Sequence, residues 1–213
     1  LEIYRNNIKV HRNLSDEEVS VLIAERTSTE LLTMEKITEV AALAQSKGIA
    51  VASHDDDNVQ KLELVKSYGT SISEFPITLD VAREAKQHGL YTIVGAPNVL
   101  MGGSHSGNLS AAEAIEHGYA DILCSDYYPA ALLHAIFQLH DKGENLHKMF
   151  RMVTLNPARS VHMDHEIGSI KPGKKADLLV IDRLADGYPT LTHTMVNGEL
   201  MTTMNYRMNE KEV

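Results

Sequence analysis

A surplus of positive charge, paired cysteines and long apolar runs are all missing from this 213-residue chain, and each absence argues against a class of function. Lys and Arg number 20 against 29 Asp and Glu, for a formal net charge of −9. With no basic excess to release counterions, general nucleic-acid binding and adhesion to an anionic membrane surface are disfavoured. An anionic substrate would then need local help, such as a metal. The single cysteine, Cys124, leaves no disulfide framework within the chain. Its place in the apolar run from Ala120 to Ser125 reads as a structural thiol. No stretch approaches the roughly 18 apolar residues of a membrane span, and no secretory leader is visible, so a cytoplasmic location is expected. The chain opens on Leu1-Glu2-Ile3 without an initiator Met, and we expect an upstream part to be absent. What remains, 43% apolar and 23% charged residues, is ordinary globular stock with length enough for one sizeable core.

Glycines punctuate what is there. Four segments with helical spacing each end at a glycine that is followed at once by an apolar run: Gly48 before "IAVAS", Gly69 before "TSISEF", Gly89 before "LYTIV" and Gly118 before "YADILCS". A glycine just past a helix supplies the left-handed residue that ends it, and short runs of this kind read as strands. Thr78 is placed to cap a helix over 79–88 with Leu79, Ala82 and Ala85 on one stripe, and Ile37, Val40, Ala41 and Ala44 form another stripe upstream. Helices alternating with apolar strands predict an α/β fold with a covered parallel sheet. Further helical stretches follow over 129–140 and 145–158. Beyond residue 166 the pattern changes to a Pro172-Gly173 turn and an Asn197-Gly198 hairpin signal, which predict antiparallel strands too few to bury a core alone.

His54, Glu74, Asn98 and Asp126 stand at or just after the ends of the four apolar runs. Loops after parallel strands converge on one edge, where reactive groups gather, so these four are candidates together. "VASHDDDN" at 51–58 has two readings. In one the strand ends, His54 turns to solvent and an aspartate such as Asp57 caps the next helix. In the other His54 belongs to a metal site. Glu74 reads equally as an exposed strand end. Asp126, directly after "ILCS", must leave an apolar strand for a place that accepts charge, and metal coordination supplies one. In "GAPNVLMGGSHSGN", residues 95–108, Gly102, Gly103 and Gly107 surround Ser104, His105 and Ser106, and backbone amides there could form an anion nest ahead of a helix near Ser110. A mobile turn is the plainer reading, and the Gly-Lys-Ser/Thr of a Walker loop is lacking. His162 and His165 in "HMDH" have metal-compatible spacing and read as a solvated face.

"ASHDDD", "SEFPIT", "GAPNVLMGGSHSGN", "SDYYPAALLHA", "TLNPAR" and "GSIKPGKKADLLVID" together resemble the phosphonate-metabolism branch of the amidohydrolase superfamily, over roughly residues 30–200. The resemblance implies a metal-dependent (β/α)8 barrel with a small β-sandwich. It also implies hydrolysis of α-D-ribose 1-methylphosphonate 5-triphosphate to the 5-phosphate and pyrophosphate. By the same resemblance His54 looks like a metal ligand on a late barrel strand. Asp126 looks like the last-strand aspartate that binds metal and handles the proton of the attacking water. Glu74, Asn98, Gly102, Gly103, Ser104, His105, Ser106 and Asn108 become substrate-facing candidates. The cofactor implied is a divalent metal, Zn, Mn or Fe, since mixed His/carboxylate sites accept several. The family's His-x-His pair on the first strand and its bridging lysine or glutamate have no counterpart here. The expectation is therefore the C-terminal half of a barrel over 1–165, followed by sandwich strands over 166–213. Such a chain is expected to form a homo-oligomer or to associate with the missing half. An inactive fragment, or a cyclic-amide hydrolase or deaminase of the same superfamily, are the alternatives.

Overall fold

The computed structural model describes residues 12–28, 32–103 and 107–206, together with Arg5, Ile8 and Lys9. The chain divides into two compact units, Leu1–Val40 and Ala41–Val213.

The first unit carries helix α1 (Asp16–Ser28), whose first turn holds Asp16, Glu17 and Glu18. Ser15 Oγ accepts from the Glu18 amide at 3.2 Å and Glu18 Oε2 accepts from the Ser15 amide at 2.8 Å, a reciprocal cap that satisfies two otherwise orphaned donors. Helix α2 (Met34–Ser46) crosses the boundary between the units. Its expected apolar stripe is only partly used. Ala41 is buried, whereas Ile37 and Val40 are 36% and 64% exposed, so that half of the face stays open among the described residues.

The second unit runs β1 (Ala52–His54), α3 (Val59–Ser67), β2 (Ile72–Glu74), α4 (Leu79–Gln87), β3 (Tyr91–Gly95), α5 (Ala96–Met101), α6 (Ala111–Glu116), β4 (Ile122–Cys124), α7 (Ala131–Asp141), α8 (Leu146–Val153) and α9 (Leu155–Ser160). The four strands pair in parallel in the order β1-β2-β3-β4, as the alternation requires. Gly48, Gly69, Gly89 and Gly118 take φ of +70°, +74°, +77° and +72°, the left-handed conformation that stops each helix and turns the chain into its strand. Thr78 caps α4 by accepting from the Val81 amide, and Val81, Ala82 and Ala85 are buried beneath it. The main core lies between β3, β4 and helices α5 to α8, with Ile115, Ile136, Met149 and Met152 at its centre. Leu62, Val81, Ala85 and Leu90 form a smaller cluster.

Three local expectations are corrected. The cap of α3 is Asn58, whose Oδ1 accepts from the Lys61 amide at 2.8 Å, and not Asp57. The first part of 95–108 is helix α5, opened by Pro97, whose missing N–H costs nothing in a first turn, and closed by left-handed Gly102. The stretch 145–158 is two helices, broken at Thr154, where φ is −130° and ψ is −82°.

After α9 come β5 (Leu178–Arg183), β6 (Pro189–Val196) and β7 (Glu199–Thr203), an antiparallel sheet in the order β5-β6-β7. Asn197 and Gly198, with φ of 52° and 83°, make the expected tight turn. Arg183 fastens this sheet to α7. Its guanidinium donates to both carboxylate oxygens of Asp141 at 3.1 and 2.7 Å and stands 5.1 Å over the Phe137 ring. No helix among the described residues is long and apolar enough to cross a membrane.

Candidate active site at the carboxyl edge

The parallel register decides which side chains meet. His54 lies opposite Glu74 and Glu74 opposite Ile93, while Gly95 lies opposite Cys124, so β1 and β2 end together and β3 and β4 run two residues further at the same edge of the sheet. Immediately beyond, Asp55, Phe75 and Asp126 turn the chain with φ of 52°, 56° and 51°. Left-handed backbone in residues carrying a Cβ is costly and persists only where the surroundings enforce it, most often at functional sites.

The His54 imidazole is exposed. Its Nδ1 is 3.2 Å from Asp55 Oδ2, its Nε2 is 3.9 Å from Glu74 Oε2, and its ring stands edge-on to Phe75 at 5.5 Å. Beside this pair a cavity of about 280 Å³ is lined by apolar Phe75, Pro76, Val94, Pro97, Met101, Leu109 and Tyr127. Its polar lining is Asp55, Asn98, Asn108 and Asp126, with the backbone of Gly95 and Gly103. The lining thus pairs two carboxylates with apolar walls, an arrangement that can orient a small ligand through a few polar groups.

Of the sequence-derived candidates, Asn98, Gly103, Asn108 and Asp126 line the cavity, while His54 and Glu74 stand at the neighbouring strand ends. Gly102 serves as the left-handed cap of α5. Ser104, His105 and Ser106 lie outside the described residues. Asn98 has both ends of its amide engaged: Nδ2 donates to the Leu109 carbonyl at 3.0 Å and Oδ1 accepts from the Ala111 amide at 2.9 Å, tying α5 to the entry of α6. His162 and His165 are exposed, and His165 Nε2 is 3.5 Å from Glu166 Oε1, away from the cavity lining. Cys124 is half-buried. Burial pushes its thiol up, and the nearby carboxylates of Glu74 and Asp126 add to this.

Among the described residues no three His, Cys, Asp or Glu side chains gather closely enough to hold a metal ion. The imidazole and carboxylates present are donor types that suit a divalent cation, so the edge is compatible with such an ion in kind.

One residue escaped the sequence reading. Asp56, in the middle of the aspartate run, is fully buried, and its Oδ2 accepts from Ser53 Oγ at 2.6 Å and Ser73 Oγ at 2.5 Å. The available signal was the alternation of Ser53 with His54 and of Ser73 with Glu74, which places the two serines together on the face opposite the site.

The architecture agrees with what known proteins show. The model of the amidohydrolase family matches residues 11–205, and the chain belongs to that family. Within it, the chain is similar to the alpha-D-ribose 1-methylphosphonate 5-triphosphate diphosphatase of Escherichia coli strain K12. The two are 40% identical over 163 residues, covering 75% of this chain and 43% of that protein. An adenine deaminase of Clostridium botulinum strain Loch Maree is 33% identical over 93 residues, 41% of this chain and 15% of its own length. Among solved structures, an amidohydrolase from Thermotoga maritima MSB8 superposes with a TM-score of 0.63 at 17% identity, covering 95% of this chain and 55% of that one. An adenosine deaminase from Xanthomonas campestris with bound zinc gives 0.58 at 15% identity, covering 89% and 57%. The chain thus spans less than half the length of the curated relatives it matches.

Proposed function

We propose that this chain is the C-terminal part of a metal-dependent hydrolase of phosphonate catabolism, working in the cytoplasm on α-D-ribose 1-methylphosphonate 5-triphosphate and yielding the 5-phosphate and pyrophosphate. The observation that carries the reading is the 40% identity to the Escherichia coli diphosphatase over three quarters of the chain. In this reading residues 1–165 belong to the barrel and 166–213 to the small sandwich. His54 and Asp126 hold a divalent cation, Zn, Mn or Fe, together with ligands from the rest of the barrel. When bound, such a cation lowers the pKa of water and screens polyphosphate charge. Asp126, exposed at the cavity, accepts the proton of the attacking water. Glu74, Asn108 and the residues of the glycine loop contact the substrate, and Asn98 ties α5 to the entry of α6 through its two backbone bonds.

A second reading, an assembly-dependent fragment, is favoured by the open edges. Among the described residues β1 and β4 are the outer strands of the parallel sheet, and Ile49, Leu200 and Met201 are each more than half exposed. Such edges and apolar surface pair readily with a second copy or with the remainder of a barrel.

The test measures metal content beside pyrophosphate release in the protein carrying the whole barrel. His54→Ala lowers both together. Asp126→Asn lowers turnover by about 10²–10⁴-fold, the usual span for loss of a general base, with a smaller loss of metal. Unchanged metal and turnover in His54→Ala refutes the assignment.

A further inference from the structure

We infer that Asp56, acting through Ser53, Ser73 and Lys61, is a positioning residue that fixes the His54 imidazole at the mouth of the site. The inference rests on the reading of His54 as a site residue. Ser53 and Ser73 are register partners one residue before His54 and Glu74, so strand alternation sends their hydroxyls to the opposite face. There both donate to the same oxygen of Asp56. The other oxygen, Oδ1, is buried without a hydrogen-bond partner among the described residues, 3.6 Å from the Lys61 ammonium. A carboxylate is not buried without compensation, and here the compensation is a cation that is itself engaged with the site's backbone. Lys61 Nζ donates to the carbonyl oxygens of His54 at 2.8 Å and Asp55 at 2.7 Å.

The backbone around His54 is therefore tied on every side. The Asp55 amide donates to the Glu74 carbonyl at 2.9 Å, and the Asp56 carbonyl accepts from the Ile77 amide at 2.9 Å. Among the described residues the exposed imidazole meets the edge of Phe75 and the carboxylates of Asp55 and Glu74, so its direction is inherited from the peptides beneath. Removing the Asp56 charge frees Lys61 from its anchor, and the left-handed turn at Asp55 loses the cation that holds both of its flanking carbonyls. His54 then samples other staggered orientations while the strand pairing remains.

The experiment reads the proton cross-peak between the His54 and Phe75 rings in isotope-labelled full chain, against the Phe137–Phe150 ring pair, 6.0 Å apart in the main core, as internal reference. In Asp56→Asn the ratio falls about threefold, as one side-chain orientation gives way to the three staggered wells. Lys61→Met gives the same fall and serves where Asp56→Asn does not fold. Asp57→Asn, altering an exposed neighbour outside the network, leaves the ratio unchanged. A lowered melting temperature with an unmoved ratio in the Asp56 and Lys61 variants means a merely structural role and overturns the inference. The ratio is read without metal, substrate or turnover, so an unmoved ratio counts against the positioning role alone, while an active His54→Ala enzyme counts against the hydrolase reading alone.

Discussion

Replacing Gly168 by alanine separates backbone strain from packing, because Gly173, five residues on, supplies its own control. Both glycines are left-handed, with φ of 81° and 88°. A Cβ on Gly173 meets nothing within 4 Å, so Gly173→Ala carries only the left-handed penalty, about 1–2 kcal/mol. A Cβ on Gly168 would lie 2.7 Å from Ala158 Cβ, 2.9 Å from the Thr154 carbonyl oxygen and 3.1 Å from Leu155 Cα. None of these atoms can rotate aside, so overpacking adds about 1–3 kcal/mol. The contact joins the loop "GSIKPG" to helix α9, which Asn156 ties to the carbonyl of Asp121 just before β4 at 2.8 Å. Urea unfolding followed by far-ultraviolet circular dichroism measures the effect. With a slope of about 1–3 kcal/mol per molar, the extra loss in Gly168→Ala moves the midpoint roughly 1 M below that of Gly173→Ala, with the slope unchanged. Equal midpoints in the two variants would refute the steric argument.

Asn98→Ala strands the Leu109 carbonyl and the Ala111 amide, a loss of about 1–3 kcal/mol for buried unpaired groups, seen as faster hydrogen exchange at Ala111 while Val94 keeps its protection. The Arg183 guanidinium hydrogen-bonded to Asp141 holds that carboxyl below the ordinary aspartate range. Because the folded value is depressed, its contribution is fully present above the ordinary range and is lost as pH falls through the folded value. Acid titration of sheet-to-helix attachment, followed by near-ultraviolet circular dichroism, therefore shows a component that Asp141→Asn lacks; superimposable profiles would count against it. Cys124, its thiol raised chiefly by burial, reacts with iodoacetamide at pH 8 more slowly than an unstructured cysteine peptide, and urea restores the rate. Equal rates before and after unfolding would remove burial as the cause.

What the sequence made legible was governed by local stereochemistry. Gly48, Gly69, Gly89 and Gly118 announce helix ends because a left-handed residue is needed at each, and Asn197-Gly198 announces a hairpin for the same reason. The placing of His54 and Glu74 at successive strand ends was also visible, but their direct opposition required the register, which no local pattern encodes. Burial of Asp56 stayed hidden because its partners Ser73 and Lys61 come from a neighbouring strand and helix, and "DDD" alone reads as solvated. Helix α5 was masked by its Gly and Pro content, although Pro97 sits where a helix tolerates it. For α2 the stripe was real in sequence, yet an apolar face becomes core only where another surface covers it, and Val40 has none among the described residues.

In β1 and β2 the interior and the mouth of the site are consecutive letters, Ser53 then His54, Ser73 then Glu74. A shift of one residue along either strand would turn the imidazole or carboxylate inward and a hydroxyl outward, because side chains exchange faces at every step. These two segments should therefore accept exchange of one residue for another far more readily than any change in length. New chemistry at this edge would arise by substitution at fixed positions, with insertions confined to the loops that follow.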